Sequence, residues 1–400
     1  MAQTSVTRRT MLGSCVTLAA AQTGFAATSQ PVEGNEPLPM NPLGKTGVKV
    51  TRLGFGASVS GYGSRVLEYA CQRGVRYFDN ADGYVGGKAE GLLGEWVNKT
   101  RRREDVFVVS KSHAYEPDLF YRRAIESVER MQVDTIDLYF VHALTDPKIP
   151  LDRNGEWRRV KERLQREKKV RFVGFSTHAE MPARTACLSN AAQGGWVDAL
   201  MVACDPGLIK AHPAFNEALD ACSRAGIGLA CMKTTRGLGR ATRQPQHAQD
   251  AFKALGMTPH QAMLAGMWSD GRFAVVVSEM SNFQQIEQNT ASARAFTRPF
   301  NQEERRSLHQ SIDKLSRATC PDCDGRCREA AGTDTDFCSI ARYLSYYEHD
   351  GERAKARELF AQLPQSARNW RGADLEAAAG ACSAHLDFAS LMRRAERLLA

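Results

Sequence analysis

Four residues whose side chains can hold or move a proton follow three apolar segments of the chain. Asp79 lies at the end of one segment, Lys111 and His142 end the next two, and Tyr84 follows Asp79 by five residues. The unperturbed pKa of tyrosine is about 10, and a neighbouring ammonium group lowers it by favouring the phenolate. A carboxylate keeps that ammonium charged, and a histidine can hydrogen-bond a carbonyl oxygen. Together these residues predict protonation of a ketone or aldehyde while a hydride arrives from a bound cofactor.

Eight short apolar segments, separated by amphipathic ones, would position these residues. The predicted strands are Thr51–Gly56, Arg76–Asn80, Val106–Lys111, Ile136–His142, Val170–Ser176, Ala199–Cys204, Gly228–Lys233 and Phe273–Ser278. The predicted helices are Arg65–Arg73, Ala89–Val97, Leu119–Met131, Trp157–Glu167, Ala179–Asn190, Ala214–Ala225 and Pro259–Met267. Near-continuously apolar strands are typical of parallel strands buried on both faces, so the alternation predicts an α/β fold, a (β/α)8 barrel of TIM type. The C-terminal strand ends of such a barrel meet at one mouth.

A doubly wound sheet is the alternative fold. It requires a glycine-rich turn after the first strand, and Gly54-Phe55-Gly56 lacks the full spacing.

The alternation of strands and helices stops near Ala318, and the rest of the chain has a helical pattern. We therefore predict a signal peptide at residues 1–27, a linker at 28–40, the barrel at 41–317 and a helical extension with a cysteine cluster at 318–400.

The first residues have the features of an export signal. Arg8 and Arg9 precede a weakly apolar stretch, Met11–Ala27, which ends in small residues. This segment resembles a bacterial twin-arginine signal, with Met11 at the usual Phe position. The resemblance implies the twin-arginine export machinery as a partner and the periplasm as the location of the protein.

The composition argues against a wholly disordered chain, a coiled coil and a collagen-like fibre. The chain has 400 residues, a formal net charge of +8, 43% hydrophobic and 24% charged residues, which is ordinary for globular proteins. No apolar run reaches the roughly 18 residues that a membrane span needs. The basic clusters Arg101–Arg103 and Arg158–Arg159 flank predicted helices, where they are typical of solvated faces. We therefore expect a small-molecule substrate, no nucleic-acid partner and no transmembrane segment.

Short motifs along the predicted barrel resemble those of the aldo/keto reductases. These motifs are Asn41–Gly47, Phe78–Tyr84, Glu90–Gly94, Asp137–His142 and Val173–His178. The resemblance implies a (β/α)8 barrel that reduces carbonyl groups with a nicotinamide cofactor, usually NADPH. It also implies that Tyr84 is the general acid, that Lys111 modulates its pKa, that Asp79 is the partner of Lys111, and that His142 orients the carbonyl.

The same resemblance implies a set of cofactor-binding residues. Ser176 matches the serine that holds the nicotinamide carboxamide, and Lys233 and Gly237 match the loop near the pyrophosphate. Asn282 and Asn289 match the last cofactor segment, with Asn289 at the adenine.

Departures from the family pattern also concern the cofactor. Glu279 stands where the family has glycine, which puts a carboxylate where a phosphate should approach. Gln288 replaces the usual glutamate before Asn289, and Thr177 replaces the usual asparagine, a variant that resembles an iron–sulfur-containing branch. NADP(H) and NAD(H) both remain open as the cofactor.

Four cysteines at the start of the extension could hold a metal. Cys320, Cys323, Cys327 and Cys338 lie within 19 residues, and short cysteine spacing suits a metal or cluster site. The set resembles a ferredoxin-like motif that carries an insertion before Cys338 and serine in place of proline after it. One [4Fe–4S] cluster, a zinc ion, periplasmic disulfides and free thiols remain open.

Two other functions are compatible with the sequence. A barrel with a disrupted phosphate loop and a degenerate cysteine set could be a catalytically inactive binding or assembly module. Alternatively, His113, His142 and His178 follow three successive predicted strands, with Asp79 after an earlier one, and strand-end histidines can bind zinc in a metal-dependent hydrolase. A tyrosine and a lysine at the same mouth are better explained by carbonyl reduction.

Overall fold

A computed structural model describes residues 36–57, 63–235, 252–316, 320, 325–348, 352–382 and 386–400. The predicted signal peptide, Gly237 and Cys323 lie outside the described residues.

Eight parallel strands close into a barrel in chain order, which confirms the predicted (β/α)8 fold and excludes the doubly wound sheet. The strands are β3 (Leu53–Gly56), β4 (Tyr77–Asp79), β5 (Phe107–Ser112), β6 (Ile136–Val141), β7 (Val170–Thr177), β8 (Ala199–Ala203), β9 (Gly228–Met232) and β10 (Phe273–Glu279). Closure occurs where β10 pairs with β3, with Val276 opposite Leu53. Because all the strands are parallel, their C-terminal ends lie at one mouth.

A short hairpin closes the opposite end of the barrel. Strands β1 (Met40–Pro42) and β2 (Lys49–Thr51) pair antiparallel, and Leu43 and Val50 are fully buried among the side chains of the barrel interior. The sequence pattern did not predict this hairpin because strands of three residues are too short to show a period.

Helices surround the barrel and bury their apolar faces against the strands. They are α1 (Ser64–Gln72), α2 (Ala89–Thr100), α3 (Pro117–Met131), α4 (Lys148–Leu151), α5 (Glu156–Arg166), α6 (Met181–Gly194), α7 (Pro206–Ala211), α8 (Pro213–Arg224), α9 (Pro259–Trp268), α10 (Phe283–Ala295) and α11 (Gln302–Ser316). Each of the seven predicted barrel helices corresponds to one of them. The interior of the barrel is packed with side chains such as Tyr77, Leu138 and Met201, so it is a core and not a pore.

The C-terminal helices have a hydrophobic core of their own. They are α12 (Arg326–Ala330), α13 (Phe337–Glu348), α14 (Arg353–Gln362), α15 (Gln365–Arg368), α16 (Leu375–Ala381) and α17 (Phe388–Leu399). Ile340, Leu344, Phe360 and Met392 are buried in this second core. Within the described part of the chain, every helix is too short or too polar to cross a membrane.

Gly174 provides a test of barrel packing. A Cβ atom added to Gly174 in β7 would lie 1.7 Å from the carbonyl oxygen of Ala199 in β8. We expect Gly174→Ala to lower the free energy of unfolding by about 3 kcal/mol, because backbone on both sides would have to shift. Gly271→Ala is the control, since a Cβ there meets no atom of the described residues within 4 Å. Urea unfolding measures both variants, and equal stability would contradict this packing.

Candidate active site

The structure brings Asp79, Lys111 and Tyr84 together at the barrel mouth. Asp79 ends β4, Lys111 lies near the end of β5, and Tyr84 lies in the loop after β4. The Lys111 ammonium donates to Asp79 Oδ2 at 2.9 Å, to the Tyr84 hydroxyl at 3.2 Å and to the Asn80 carbonyl at 2.5 Å. The Lys111 and Asp79 side chains are only 1% and 5% exposed. This ion pair therefore holds a charged donor against the tyrosine hydroxyl in a site shielded from water.

Burial and charge act in opposite directions on these groups. Burial alone would lower the pKa of Lys111, but Asp79 and Tyr84 raise it above its ordinary value, so the ammonium stays charged. Burial raises the pKa of Tyr84 above its ordinary value, although Lys111 opposes that rise. The sequence predicted a lowered pKa for Tyr84. The structure corrects that prediction, because desolvation of the phenolate outweighs the neighbouring ammonium.

His142 faces Tyr84 directly after the end of β6. The two rings meet edge to face with their centres 5.7 Å apart, and His113 stacks on His142 at 4.3 Å. Burial, together with the charges of Lys111, His113 and Lys233, holds the pKa of His142 well below its ordinary value. A neutral imidazole results, which can donate a hydrogen bond to a carbonyl oxygen. His142 Nδ1 is buried and has no hydrogen-bond partner among the described residues.

Residues at the end of β7 fix the loop that follows His142. The Ser176 hydroxyl accepts a hydrogen bond from the Ala143 amide at 3.0 Å, and the Thr177 hydroxyl donates to the Leu144 carbonyl at 2.8 Å. Both side chains are buried. Ser176, the predicted carboxamide contact, thus lies beside the predicted carbonyl-orienting histidine.

The other predicted cofactor residues lie along the β9 and β10 side of the mouth. Lys233 directly follows β9, and its ammonium donates to the Tyr346 hydroxyl at 3.3 Å. The Asn289 amide donates to Ser278 Oγ in β10 at 3.1 Å. Asn282 is the N-cap of α10, where its side chain accepts from the backbone of the first turn. The structure therefore gives Asn282 a role in the helix itself, besides the predicted one.

Three non-glycine residues with left-handed backbone are predicted site residues or directly follow one. Val85 follows Tyr84 and Ala143 follows His142, each with φ of 54°, while Lys233 itself has φ of 60°. The other described non-glycine residues with positive φ lie at the C-terminal ends of helices: Arg101, Gln132, Asp152 and Lys168. Such a conformation costs roughly 1–2 kcal/mol for a residue with a Cβ. Strain of this kind concentrates at functional sites, so it marks this mouth independently of the side-chain chemistry.

Helices of the C-terminal extension also reach the mouth. Arg342 in α13 donates to the His178 carbonyl at 3.5 Å, beside the end of β7. Arg328 in α12 forms an ion pair with Glu180 at 3.3 Å. Sequence reasoning missed these contacts because they join segments about 150 residues apart, and no local pattern encodes such a pairing.

The described residues give no support to a metal site. Among them, no group of three or more His, Cys, Asp or Glu side chains could hold a metal ion. The predicted zinc set of His113, His142 and His178 is therefore not supported. Cys327 is buried and Cys320 and Cys338 are partly buried, while their fourth partner lies outside the described residues, so the nature of the cysteine cluster stays a prediction.

The fold and the mouth together define a (β/α)8-barrel protein with an acid–base site at its C-terminal strand ends. The aldo/keto reductase family model matches residues 56–313, and the chain belongs to that family. An aldo-keto reductase of Strobilurus tenacellus is 30% identical over 171 residues, which are 38% of this chain and 48% of the relative. A Schizosaccharomyces pombe aldo-keto reductase, whose name specifies NADP(+), is 26% identical over 211 residues, 50% of this chain and 58% of the relative.

Solved structures agree with the fold. The holo form of an aldo-keto reductase from Bacillus halodurans superposes with a TM-score of 0.53 at 19% identity, covering 70% of this chain and 96% of that one. A thermostable aldo-keto reductase, solved with the inhibitor epalrestat, gives a TM-score of 0.54 at 23% identity, covering 68% and 100%. In the sequence matches, by contrast, this chain spans about half the length of the curated relatives.

We expect the protein to lose stability in mild acid. The charge of Lys233, followed by burial, holds the pKa of His178 well below its ordinary value, and His142 is lowered similarly. In the folded protein, the pKa of each histidine therefore lies below the unfolded value of about 6.5. The stability that each neutral histidine provides is complete above that pH and is lost as the pH falls below it. The loss is at most about 1.4 kcal/mol per pH unit for each histidine. Urea unfolding between neutral and mildly acidic pH measures this loss. If the free energy of unfolding depended on pH equally in His178→Gln and the wild type, the contribution of His178 would be contradicted.

Proposed function

We propose that this protein reduces the carbonyl group of a small molecule with a nicotinamide cofactor, and that Tyr84 is the general acid. The observation that carries the proposal is the hydrogen bond between the Lys111 ammonium and the Tyr84 hydroxyl, 3.2 Å long, beside a neutral His142. This arrangement offers a proton donor and a hydrogen-bond donor to one carbonyl oxygen.

The side chains along the mouth fit a dinucleotide cofactor. Ser176 offers a hydroxyl, Lys233 an ammonium and Asn289 an amide, and these groups match a carboxamide, phosphates and a base. Glu279 at the end of β10 is the departure, because a carboxylate repels phosphate. When bound, the nicotinamide would supply a hydride to the carbonyl carbon.

The residues of the chain would then act on the carbonyl oxygen. His142 orients that oxygen through a hydrogen bond, and Tyr84 transfers its hydroxyl proton to it as the carbon–hydrogen bond forms. Lys111 stabilises the phenolate that remains, and Asp79 keeps Lys111 charged. Solvent returns a proton to Tyr84, so each turnover consumes one hydride and one proton and releases an alcohol.

Isotope transfer tests this proposal with any carbonyl compound that the site accepts. The full chain would be incubated with a panel of aldehydes and ketones and with NADPH or NADH that carries deuterium at both hydrogen positions of nicotinamide C4. We expect an alcohol that carries deuterium on the former carbonyl carbon, with stoichiometric cofactor oxidation. Oxidation without deuterium in the product, or no turnover of any panel member, would contradict hydride transfer to a carbonyl.

We further propose export to the periplasm, supported by the arginine pair and apolar stretch at the start of the sequence. Cell fractionation should find the protein in the periplasm, and replacing Arg8 and Arg9 together by lysine should retain it in the cytoplasm. Unchanged location of that variant would contradict the twin-arginine route.

A further inference from the structure

We propose that Tyr346, in the C-terminal extension, is a positioning residue of the cofactor site that holds Lys233 in place for the diphosphate of the nucleotide. This inference rests on the proposed function. It makes the extension a part of the binding site of the barrel, although the helices of the extension have a core of their own.

The contact between the two residues joins the extension to the end of a barrel strand. Tyr346 lies on α13 and Lys233 directly follows β9, and the Lys233 ammonium donates to the Tyr346 hydroxyl at 3.3 Å. Tyr346 is partly buried, so its hydroxyl is held in a defined place. A hydrogen bond to a neutral phenol does not neutralise the ammonium.

The backbone of Lys233 points to the same role. Its φ of 60° is unfavourable for a residue with a Cβ, so the surrounding structure must hold it there. A freely rotating lysine on a relaxed loop would spend most of its time in solvent. The strained backbone and the Tyr346 contact together fix the direction of the side chain.

The position of Lys233 suits a diphosphate. Lys233 follows β9, while His142 and His178 follow β6 and β7, so all three lie at the C-terminal strand ends that form the mouth. The charge of Lys233 also contributes to the low pKa of both histidines. A nicotinamide beside Tyr84 and His142 is separated from its diphosphate by a single ribose. A diphosphate bound further along the rim, on the β9 side, would meet the positive charge of Lys233.

A second residue of the extension, Lys355, places a positive charge next to Tyr346. The Lys355 side chain is 45% exposed, pairs with Glu352 at 2.7 Å, and has its ammonium 5.6 Å from the centre of the Tyr346 ring. Burial alone would lower the pKa of Lys355, but Glu352 and Glu279 raise it. The interaction of Lys355 with Glu279 thus reduces the repulsion that Glu279 would exert on a phosphate.

Substitution of the tyrosine hydroxyl tests the proposal. We expect Tyr346→Phe in the full chain to raise the Kd of both NADPH and NADH about 5- to 10-fold, the effect of losing one hydrogen bond to a charged group. The logarithm of Kd should also depend less steeply on salt concentration, because one cation no longer meets the phosphates. In a Lys233→Met background the same substitution should change Kd by less than about twofold. Equilibrium fluorescence titration measures every Kd.

Tyr347→Phe is the matched control. Tyr347 neighbours Tyr346 on α13, but its ring lies against Arg353 and Arg357 of the extension. Tight binding in the wild type with the same Kd in Tyr346→Phe would overturn this inference alone. A loss restricted to NADPH would overturn the diphosphate assignment in favour of the extra phosphate of NADPH. No binding of either nucleotide to the wild type would overturn the proposed function, and this inference with it.

Discussion

Replacing Tyr84 by phenylalanine is expected to lower kcat for carbonyl reduction by about 10²- to 10⁴-fold. The substitution removes the proton that the site aims at the carbonyl oxygen and leaves the ring in place, packed edge to face against His142 at 5.7 Å. Because the hydroxyl contacts Lys111 and none of the predicted cofactor residues that the structure describes, the Kd of NADPH should change by less than about twofold. Single-turnover kinetics and fluorescence titration measure the two quantities separately.

Tyr121→Phe is the control for this substitution. Its hydroxyl donates to Glu167 at 2.7 Å on the surface of the barrel, so its loss should leave kcat unchanged. If Tyr84→Phe turned over at the rate of this control, the role of Tyr84 as general acid would be contradicted.

Replacing Lys111 by methionine is expected to have the largest effect on stability. Asp79 would keep its charge without a partner in a buried site, which typically costs about 3–5 kcal/mol of unfolding free energy. Burial already raises the pKa of Asp79 against the opposing charge of Lys111, and removal of Lys111 would raise it further. The folded carboxyl in this variant would then have a pKa above its unfolded value. The destabilisation should therefore be complete at neutral pH and shrink as pH falls and Asp79 is protonated.

The double variant Lys111→Met with Asp79→Asn separates stability from catalysis. It removes both charges of the 2.9 Å pair, so most of the lost stability should return, while kcat stays low because no ammonium stabilises the Tyr84 phenolate. Urea unfolding and turnover measurements compare the variants. Equal stability of the single variant and the wild type would contradict the buried ion pair.

The barrel and three of its site residues could be predicted because local patterns encode them. Parallel buried strands are continuously apolar, and the polar residue that ends each one must lie at the mouth. Asp79 and Lys111 follow that rule, and Tyr84 lies in the loop directly after the strand of Asp79. Their predicted proximity agrees with the hydrogen bonds of Lys111.

Other features depend on contacts that sequence patterns do not contain. The stacking of His113 on His142 depends on how two loops pack, and the contact of Lys233 with Tyr346 joins residues 113 positions apart. The direction of the pKa shift of Tyr84 was predicted wrongly for a related reason. The sequence shows which charges are near, but the amount of burial follows only from the packed structure.

Fluorescence titration of the full chain with NADPH and then NADH tests the proposed function most directly. Saturable binding of at least one of them is predicted, and the lower Kd will identify the preferred nucleotide. Absence of binding to either nucleotide at millimolar concentration would contradict a hydride-transfer site at this mouth.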